Sequence, residues 1–466
     1  MQEKKVTTPL TENKMGVMPV GKLLVNMAAP MIISMLVQAF YNIVDSYFVS
    51  QISDDAAVRE SAIAAMSLAF AVQNILIGFA VGIGVGVNAL LSKSLGEGNQ
   101  ERANFAAGNG ITMAVLTTGI FMIFGGLFAD DYFKMMSNSA LTVTFGTQYI
   151  SICSLLSLGI FVEVLAERLL QSSGRTVYTM ITQGTGAIIN IILDPVLIFG
   201  LGPFPAMGIA GAAVATVAGQ WIAAIMAIVF NLKFNPDVQL ALRYCKLKKE
   251  VVRPIMTVGI PSVIMNSIGS VMNIGVNKIL QGFSQYGEVP VNVFGIYFKL
   301  QSFFFMPLFG MNNATISIVA YNYGARKPQR IIKTLRIAAI SALSFMLVGM
   351  LVFQTVPELL LGIFDKSEAF LTLGSSALRT ISLCFPFAAV CIALGASFQA
   401  LGTGIYSTII SLCRQLVVLL PAAYLLSLSG ELNAVWWAFP IAELMSLTAT
   451  AFFFVRIYRQ KIRPIM

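Results

Sequence analysis

The sequence predicts an all-α membrane protein: twelve transmembrane helices in two parallel-repeat six-helix bundles around a central cavity. Three observations predict it. The 466 residues are 57% hydrophobic and only 11% charged, whereas a soluble domain carries roughly 25% charged residues. The apolar residues fall in runs long enough to cross a bilayer, which takes about 20 residues of helix. Motifs in the first half return in the second at a nearly constant offset, the mark of an internal repeat.

The first 22 residues are polar and include Lys4, Lys5, Lys14 and Lys22. The apolar run that follows reaches Val49. It is too long for a signal-peptide core and lacks a small-residue cleavage site, so it reads as a retained first helix. Charge and Gly/Pro clusters then bound spans at 23–49, 62–91, 105–129, 141–170, 176–200, 207–232, 254–283, 290–322, 331–356, 370–401, 405–428 and 432–457. Several exceed the bilayer length, which implies tilt or protruding ends. The expected organisation is a cytoplasmic tail (1–22), an N-lobe (23–232), a cytoplasmic inter-lobe loop (233–253), a C-lobe (254–457) and a second cytoplasmic tail (458–466).

Basic residues give the orientation. With the N-terminus inside, 23 of the 30 lysines and arginines fall in inner segments. Three lie outside (Arg59, Lys134, Lys366), and four lie within spans (Lys278, Lys299, Arg379, Arg414). Such asymmetry is the positive-inside signal, and it places both termini in the cytoplasm of a cell with the chain in its plasma membrane. The net charge of +9 follows from it. Attraction to anionic inner-leaflet lipid accounts for that charge, and nothing points to nucleic acid.

The repeat is read from four pairs. Pro30 precedes Pro261 by 231 residues, Leu95-Gly96 precedes Tyr323-Gly324 by 228, Gln171-x-x-Gly174 precedes Gln399-x-x-Gly402 by 228, and Pro195 precedes Pro421 by 226. Six spans return the chain to its starting face, so the halves are parallel repeats about an axis along the membrane normal. A cleft between such halves, able to open to either side, is the architecture of a transporter. Pro30, Pro195 and Pro261, each lacking an N–H, are the candidate hinges.

Several chemistries are excluded. Gly16-Val-Met-Pro-Val-Gly21-Lys22-Leu23 approaches a phosphate loop, but Leu23 stands where Ser or Thr must hold magnesium, and no strand precedes it. With no nucleotide site, the driving energy is an ion gradient or the substrate's own. None of the five cysteines forms a C-x-x-C pair, so neither a disulfide framework nor a metal site is expected. There is no histidine. No catalytic residue, cofactor or enzyme activity is expected, and the chain is expected to act as a monomer. The glycines 78, 82, 84 and 86 lie inside span 2, where small residues let helices approach closely.

Carboxylates inside lipid carry the most information, because each is costly unless it faces a partner or a wet cavity. Asp45 in span 1 and Asp194 in span 5 lie at similar depth near the outer ends of their spans. Asn190 is one turn below Asp194 on the same face. Pro195 leaves the carbonyl of Ile191 without its helical donor, and Thr216 of span 6 can reach the same level. Such an oxygen-rich group suits H⁺ or Na⁺, and carboxylates held close together resist ionising at the same time. The competing reading is that each acid pairs with a base, yet no lysine or arginine lies in the outer half of the first six spans. Glu163 and Glu167, one turn apart on span 4, read first as an ion-pair network with Arg168 and Arg175 and second as cavity wall. Within the C-lobe spans, Lys278, Lys299, Arg379 and Arg414 stand against one acid, Glu443, and Lys299 or Arg379 is expected to border the central cavity. Met (23) and Phe (33) on a cavity wall would suit varied amphipathic ligands.

These motifs resemble one family. Ala29-Pro30, Tyr41-Asn42-Ile43-Val44-Asp45, Leu95-Gly96-Glu97-Gly98, Ile192-Leu193-Asp194-Pro195, Gly208-Ile209-Ala210-Gly211, Gly295-Ile296-Tyr297-Phe298-Lys299 and Arg414-Gln415 before Pro421 occur in its order over residues 20–460. The chain resembles the multidrug and toxic compound extrusion (MATE) family, most closely its MepA-like branch. The resemblance implies two six-helix bundles that export cationic amphipathic drugs and toxins in exchange for protons or sodium. It implies a cation site at Asp45, Asn190, Asp194 and Thr216 and a first span that bends near Pro30. Spans 7 and 10 lack the acids another branch uses, which leaves no cation site expected in the C-lobe. The rival reading is a flippase or exporter of anionic or lipid-linked substrates that uses the basic C-lobe.

Overall fold

The computed structural model describes residues 13–53 and 55–466, apart from the side chains of Asn42, Ser46, Ser50 and Ala56. Lys4 and Lys5 lie outside the described residues. Long apolar helices follow one another from end to end: α1 (Val20–Ser50), α2 (Ala56–Gly96), α3 (Gln100–Leu127), α4 (Ala140–Leu155), α5 (Leu158–Ser172), α6 (Thr176–Phe199), α7 (Ile209–Phe234), α8 (Lys249–Leu280), α9 (Val289–Gly324), α10 (Pro328–Thr355), α11 (Glu368–Ser382), α12 (Phe385–Ala400), α13 (Gly404–Leu412), α14 (Leu420–Ser427) and α15 (Ala438–Ile457). Short polar side chains start several of them. Asp55 accepts from the Ala57 N–H, Asn99 from that of Arg102 and Ser139 from that of Thr142, each satisfying a donor the helix itself leaves free.

Among the described residues ten helices are long and apolar enough to cross a membrane, and counting each of two bent pairs as one span brings the total to twelve. The expected spans 141–170 and 370–401 are the two that differ, since each is broken. α4 meets α5 at 48°, and α11 meets α12 at 44°. At the second break Pro386 has no N–H for the carbonyl of Ser382. Beyond the first, Gly159 lies so close to Trp221 that a Cβ would stand 2.8 Å from its ring. The eleventh span is also irregular. A π-helical stretch, Cys413–Leu419, joins α13 to α14 and is followed by Pro421, which cannot donate to the carbonyl of Val417.

The two halves match in geometry. The two breaks lie at equivalent positions, residues 156–157 and 383–384. Left-handed turns recur 228 residues apart at Gly98 and Arg326, Gly174 and Gly402, and Gly202 and Gly430. Contacts between the halves are reciprocal at the same offset. A Cβ on Gly96 would lie 2.0 Å from the Tyr321 carbonyl oxygen, and one on Gly324 would lie 2.1 Å from that of Lys93. Likewise Gly82 abuts the Gly259 carbonyl (2.8 Å) and Gly310 that of Met31 (2.9 Å). Only glycine allows backbones to meet this closely.

These contacts seal the seam at the face that carries Lys93, Arg326 and Arg330. Away from it the lobes part. The nearest atom to a Cβ on α2 stands at 2.2 Å for Gly86, 2.4 Å for Gly82 and 3.5 Å for Gly78. A cavity of about 610 Å³ occupies the resulting space. The N-terminal end of the described chain straps the sealed face. Asn13 donates to the Ser173 carbonyl (3.1 Å), while Asn322 and Arg330 donate to the Met15 carbonyl (3.1 and 3.0 Å). Burial, with the Arg175 guanidinium nearby, pulls the Lys14 ammonium below its ordinary value. The C-terminal segment ends on this face too, where Lys461 donates to the Leu401 carbonyl (2.5 Å).

Candidate functional site

α1, α6 and α7 pack together in the first half and bring the expected oxygens into one buried group. Asp45 is 5% exposed, Asn190 3%, Asp194 0% and Thr216 8%. The Asn190 amide satisfies both neighbours only with its nitrogen on Asp194 Oδ2 (3.3 Å) and its oxygen accepting from Thr216 Oγ1 (3.3 Å) and the Thr216 N–H (3.2 Å). The Asp45 carboxylate lies within electrostatic reach of Asp194. Its Oδ1 is sealed from solvent and accepts no hydrogen bond among the described residues. A buried carboxylate oxygen left in that condition is costly, and a proton or a cation would satisfy it.

Below this group lies a cavity of about 120 Å³, lined by Ser34, Gln38, Tyr41, Glu163, Glu167 and Asn190 among others. Among the described residues the ion-pair network expected for Glu163 and Glu167 is not formed. Arg168 donates to Gln171 (2.9 Å) and Arg175 pairs with Asp237 (3.4 Å). Glu167 is held by neutral donors, Thr182 Oγ1 and Gln183 Nε2, both at 2.7 Å. Glu163 Oε2 is buried and has no hydrogen-bond partner among the described residues. The sequence fixes the spacing of these acids and bases but not the rotation of α5, and that rotation turns the two glutamates into the cavity.

Two residues escaped the sequence reading. Tyr41, one turn before Asp45, lines the cavity. Tyr149 on α4 is 1% exposed, and its hydroxyl accepts from Gln73 (3.2 Å). A phenol in an apolar run is unremarkable by itself, and only its depth relative to Asp45 could have singled it out.

The C-lobe corrects another expectation. Lys299 and Lys278 are exposed, and neither borders a described cavity. Arg379 is half exposed and faces Glu358 at 3.9 Å. Arg414 is the cation on the cavity wall. It rises from the π-helical stretch, lines both the central cavity and a smaller one of about 210 Å³, and is bonded to Glu443. The central cavity also carries Phe298, Phe305, Phe309 and Phe439 with the amides of Asn273 and Gln301. Pro30, Pro195 and Pro261 lie inside α1, α6 and α8. The Pro261 carbonyl also accepts from Thr408 Oγ1 (2.9 Å), and that of Pro30 from Ser34 Oγ (3.0 Å).

Two similar helical lobes around a midline cavity with buried carboxylates in its surroundings are the architecture of a membrane transport protein. The MatE family model matches residues 30–196 and again residues 261–425, and the chain belongs to that family. The double match restates the repeat. The multidrug export protein MepA of Staphylococcus aureus (strain MRSA252) is 25% identical over 433 residues, covering 93% of this chain and 92% of its own. An FAD transporter of Shewanella oneidensis is 26% identical over 437 residues, with 92% of each covered. Among solved structures, an outward-facing multidrug resistance MATE transporter superposes with a TM-score of 0.89 at 23% identity, covering 98% of both chains. A transporter of Pyrococcus furiosus, described as having a binding pocket of reversed polarity, gives 0.88 at 23% identity and the same coverage.

Proposed function

We propose that this protein is a secondary exporter of amphipathic, mainly cationic drugs and toxins, driven by H⁺ or Na⁺ entering through the N-lobe. The observation that carries this reading is the pair of orphaned acceptors, Asp45 Oδ1 and Glu163 Oε2, in a lobe where the only buried base among the described residues, Arg168, is bonded to Gln171. In this reading the basic face is cytoplasmic, as the lysine and arginine distribution requires. The sealed seam is then the inner gate, and the described state is outward-facing. Residues 23–232 and 254–457 rock against one another, with Pro30, Pro195 and Pro261 as the flexible points. In the outward state Asp45 and Asp194 take up the ion, with Asn190 and Thr216 holding Asp194 in place, and substrate leaves. Glu163 and Glu167 offer negative charge to a cationic substrate. The protein acts as a monomer in the plasma membrane.

The test is counterflow in proteoliposomes with a fluorescent cation, under an imposed pH gradient or an imposed sodium gradient. Uptake that follows one gradient names the ion. Flux that ignores both gradients refutes antiport.

A second reading concerns the substrate. Arg414 in the cavity wall, together with a relative named as an FAD transporter, favours an anionic or dinucleotide-like cargo held in the C-lobe. Competition of the fluorescent cation by an anionic dinucleotide would support it, and loss of that competition in Arg414→Gln would locate it.

A further inference from the structure

A second concave site lies on the seam, at the sealed face. It is a pocket of about 290 Å³ whose wall includes Lys93, Arg102, Arg253, Lys461, Thr257 and Leu401. Its charge is unbalanced. Glu97 is the one acid bonded to these bases, at 3.6 Å from Lys93 and 3.1 Å from Arg102. Arg253 and Lys461 have no carboxylate partner among the described residues, and Lys461 is spent on a backbone carbonyl. Solvated bases on an inner face normally spread apart. Here four of them, drawn from three separate segments of the chain, converge on one hollow whose lining also includes the apolar Leu90, Pro254 and Val258. Mutual repulsion disfavours such convergence unless an anion occupies the centre.

The pocket also straddles the halves. Lys93 ends α2 and Arg102 begins α3, while Arg253 begins α8 and Lys461 belongs to the C-terminal segment. We propose that this pocket binds a phosphate group, monoester or diester, and that the bound phosphate clamps the two halves together at the sealed face. Lysine and arginine from both sides would hold its oxygens through charge-assisted hydrogen bonds. A ligand held by both halves exists only while the seam is closed, so it shifts the equilibrium toward the state open on the opposite face. The apolar part of the lining also suits the first acyl methylenes of an anionic phospholipid, whose headgroup lies at the inner face to which the proposed function assigns this pocket. Free phosphate offers the same chemistry.

The experiment uses the full-length protein in nanodiscs of phosphatidylcholine alone, of phosphatidylcholine with phosphatidylglycerol, and of phosphatidylcholine with added inorganic phosphate. Hydrogen–deuterium exchange of the seam backbone (residues 93–97, 253–259 and 320–325) reads closure, and the thermal unfolding midpoint reads binding. Phosphatidylglycerol or phosphate slows seam exchange, and whichever does so identifies the source of the phosphate. Lys93→Gln/Arg253→Gln weakens that protection roughly tenfold or more, as expected for the loss of two charge-assisted contacts. Lys249→Gln/Lys333→Gln removes the same charge from exposed positions outside the pocket and leaves protection intact. Equal loss in both double variants, or no protection by either phosphate source, overturns the proposal.

Discussion

Replacing Asp194 by Asn tests the coupling site most directly. Asp194 is fully buried, and Asn190 donates to its Oδ2 at 3.3 Å. The substitution keeps the volume and replaces one acceptor with an amide nitrogen. The Asn190 amide would have to reorient to face it, and the Thr216 hydroxyl can turn to follow, so the folding cost is that of one rearranged hydrogen bond, about 1 kcal/mol. The transport cost is far larger. One elementary charge crossing a potential of ~150 mV supplies roughly 3.5 kcal/mol, which supports a concentration ratio of several hundred. Asp194→Asn should therefore fold and bind drug while its gradient-driven accumulation falls toward unity, and Asp45→Asn should behave the same way or nearly so. The assay is efflux of a fluorescent cation from energised vesicles, with the amount of each variant measured. Full, gradient-dependent efflux by the double Asn variant would refute the assignment and turn attention to Glu163 and Glu167.

Three further outcomes follow from the geometry. Gly96→Val and Gly324→Val each push a side chain into a carbonyl at about 2 Å; overpacking of this kind costs about 1–3 kcal/mol, and both should raise hydrogen exchange at the sealed face without lowering protein yield. Glu443→Gln leaves Arg414 without its counter-charge and should cost about 1–3 kcal/mol in thermal stability, reduced from a fully buried case because Arg414 borders the cavity; the double variant Arg414→Met/Glu443→Met should recover most of that loss. Arg330→Leu removes donors to the Met15 and Met18 carbonyls and should release the N-terminal strap, seen as faster exchange at residues 13–18 with the transmembrane helices unchanged.

What the sequence makes legible here depends on which coordinate is asked for. Depth along a span can be read by counting residues from a charged boundary, which places Asp45 and Asp194 at similar depth and Asn190 one turn below. Rotation about the helix axis cannot be read when neighbours on every side are apolar. Lys299 stands two residues after Tyr297, about 200° around α9, so the buried tyrosine puts the lysine outside. The same blindness exchanged Arg379 for Arg414 as the cation of the cavity. The breaks in the fourth and tenth spans were invisible for a different reason. Leu156-Ser157 and Leu383-Cys384 are unremarkable helix residues, and the bends belong to packing and to a proline already past the break. The repeat, by contrast, needed only fixed offsets between rare residues, and geometry preserved those offsets.

The reciprocal glycine contacts reach beyond this one chain. Because Gly96 meets residue 321 while Gly324 meets residue 93, the midline is self-complementary: each half presents the surface that the other half recognises. A gene encoding a single six-helix unit could have made the same seam by homodimerisation. With an even number of crossings, joining two copies head to tail requires no inversion of either. In the single chain the halves differ in their chemistry, with Asp45 and Asp194 in one and Arg414 in the other, while the midline glycines match because neither can gain a side chain without meeting the other half's backbone.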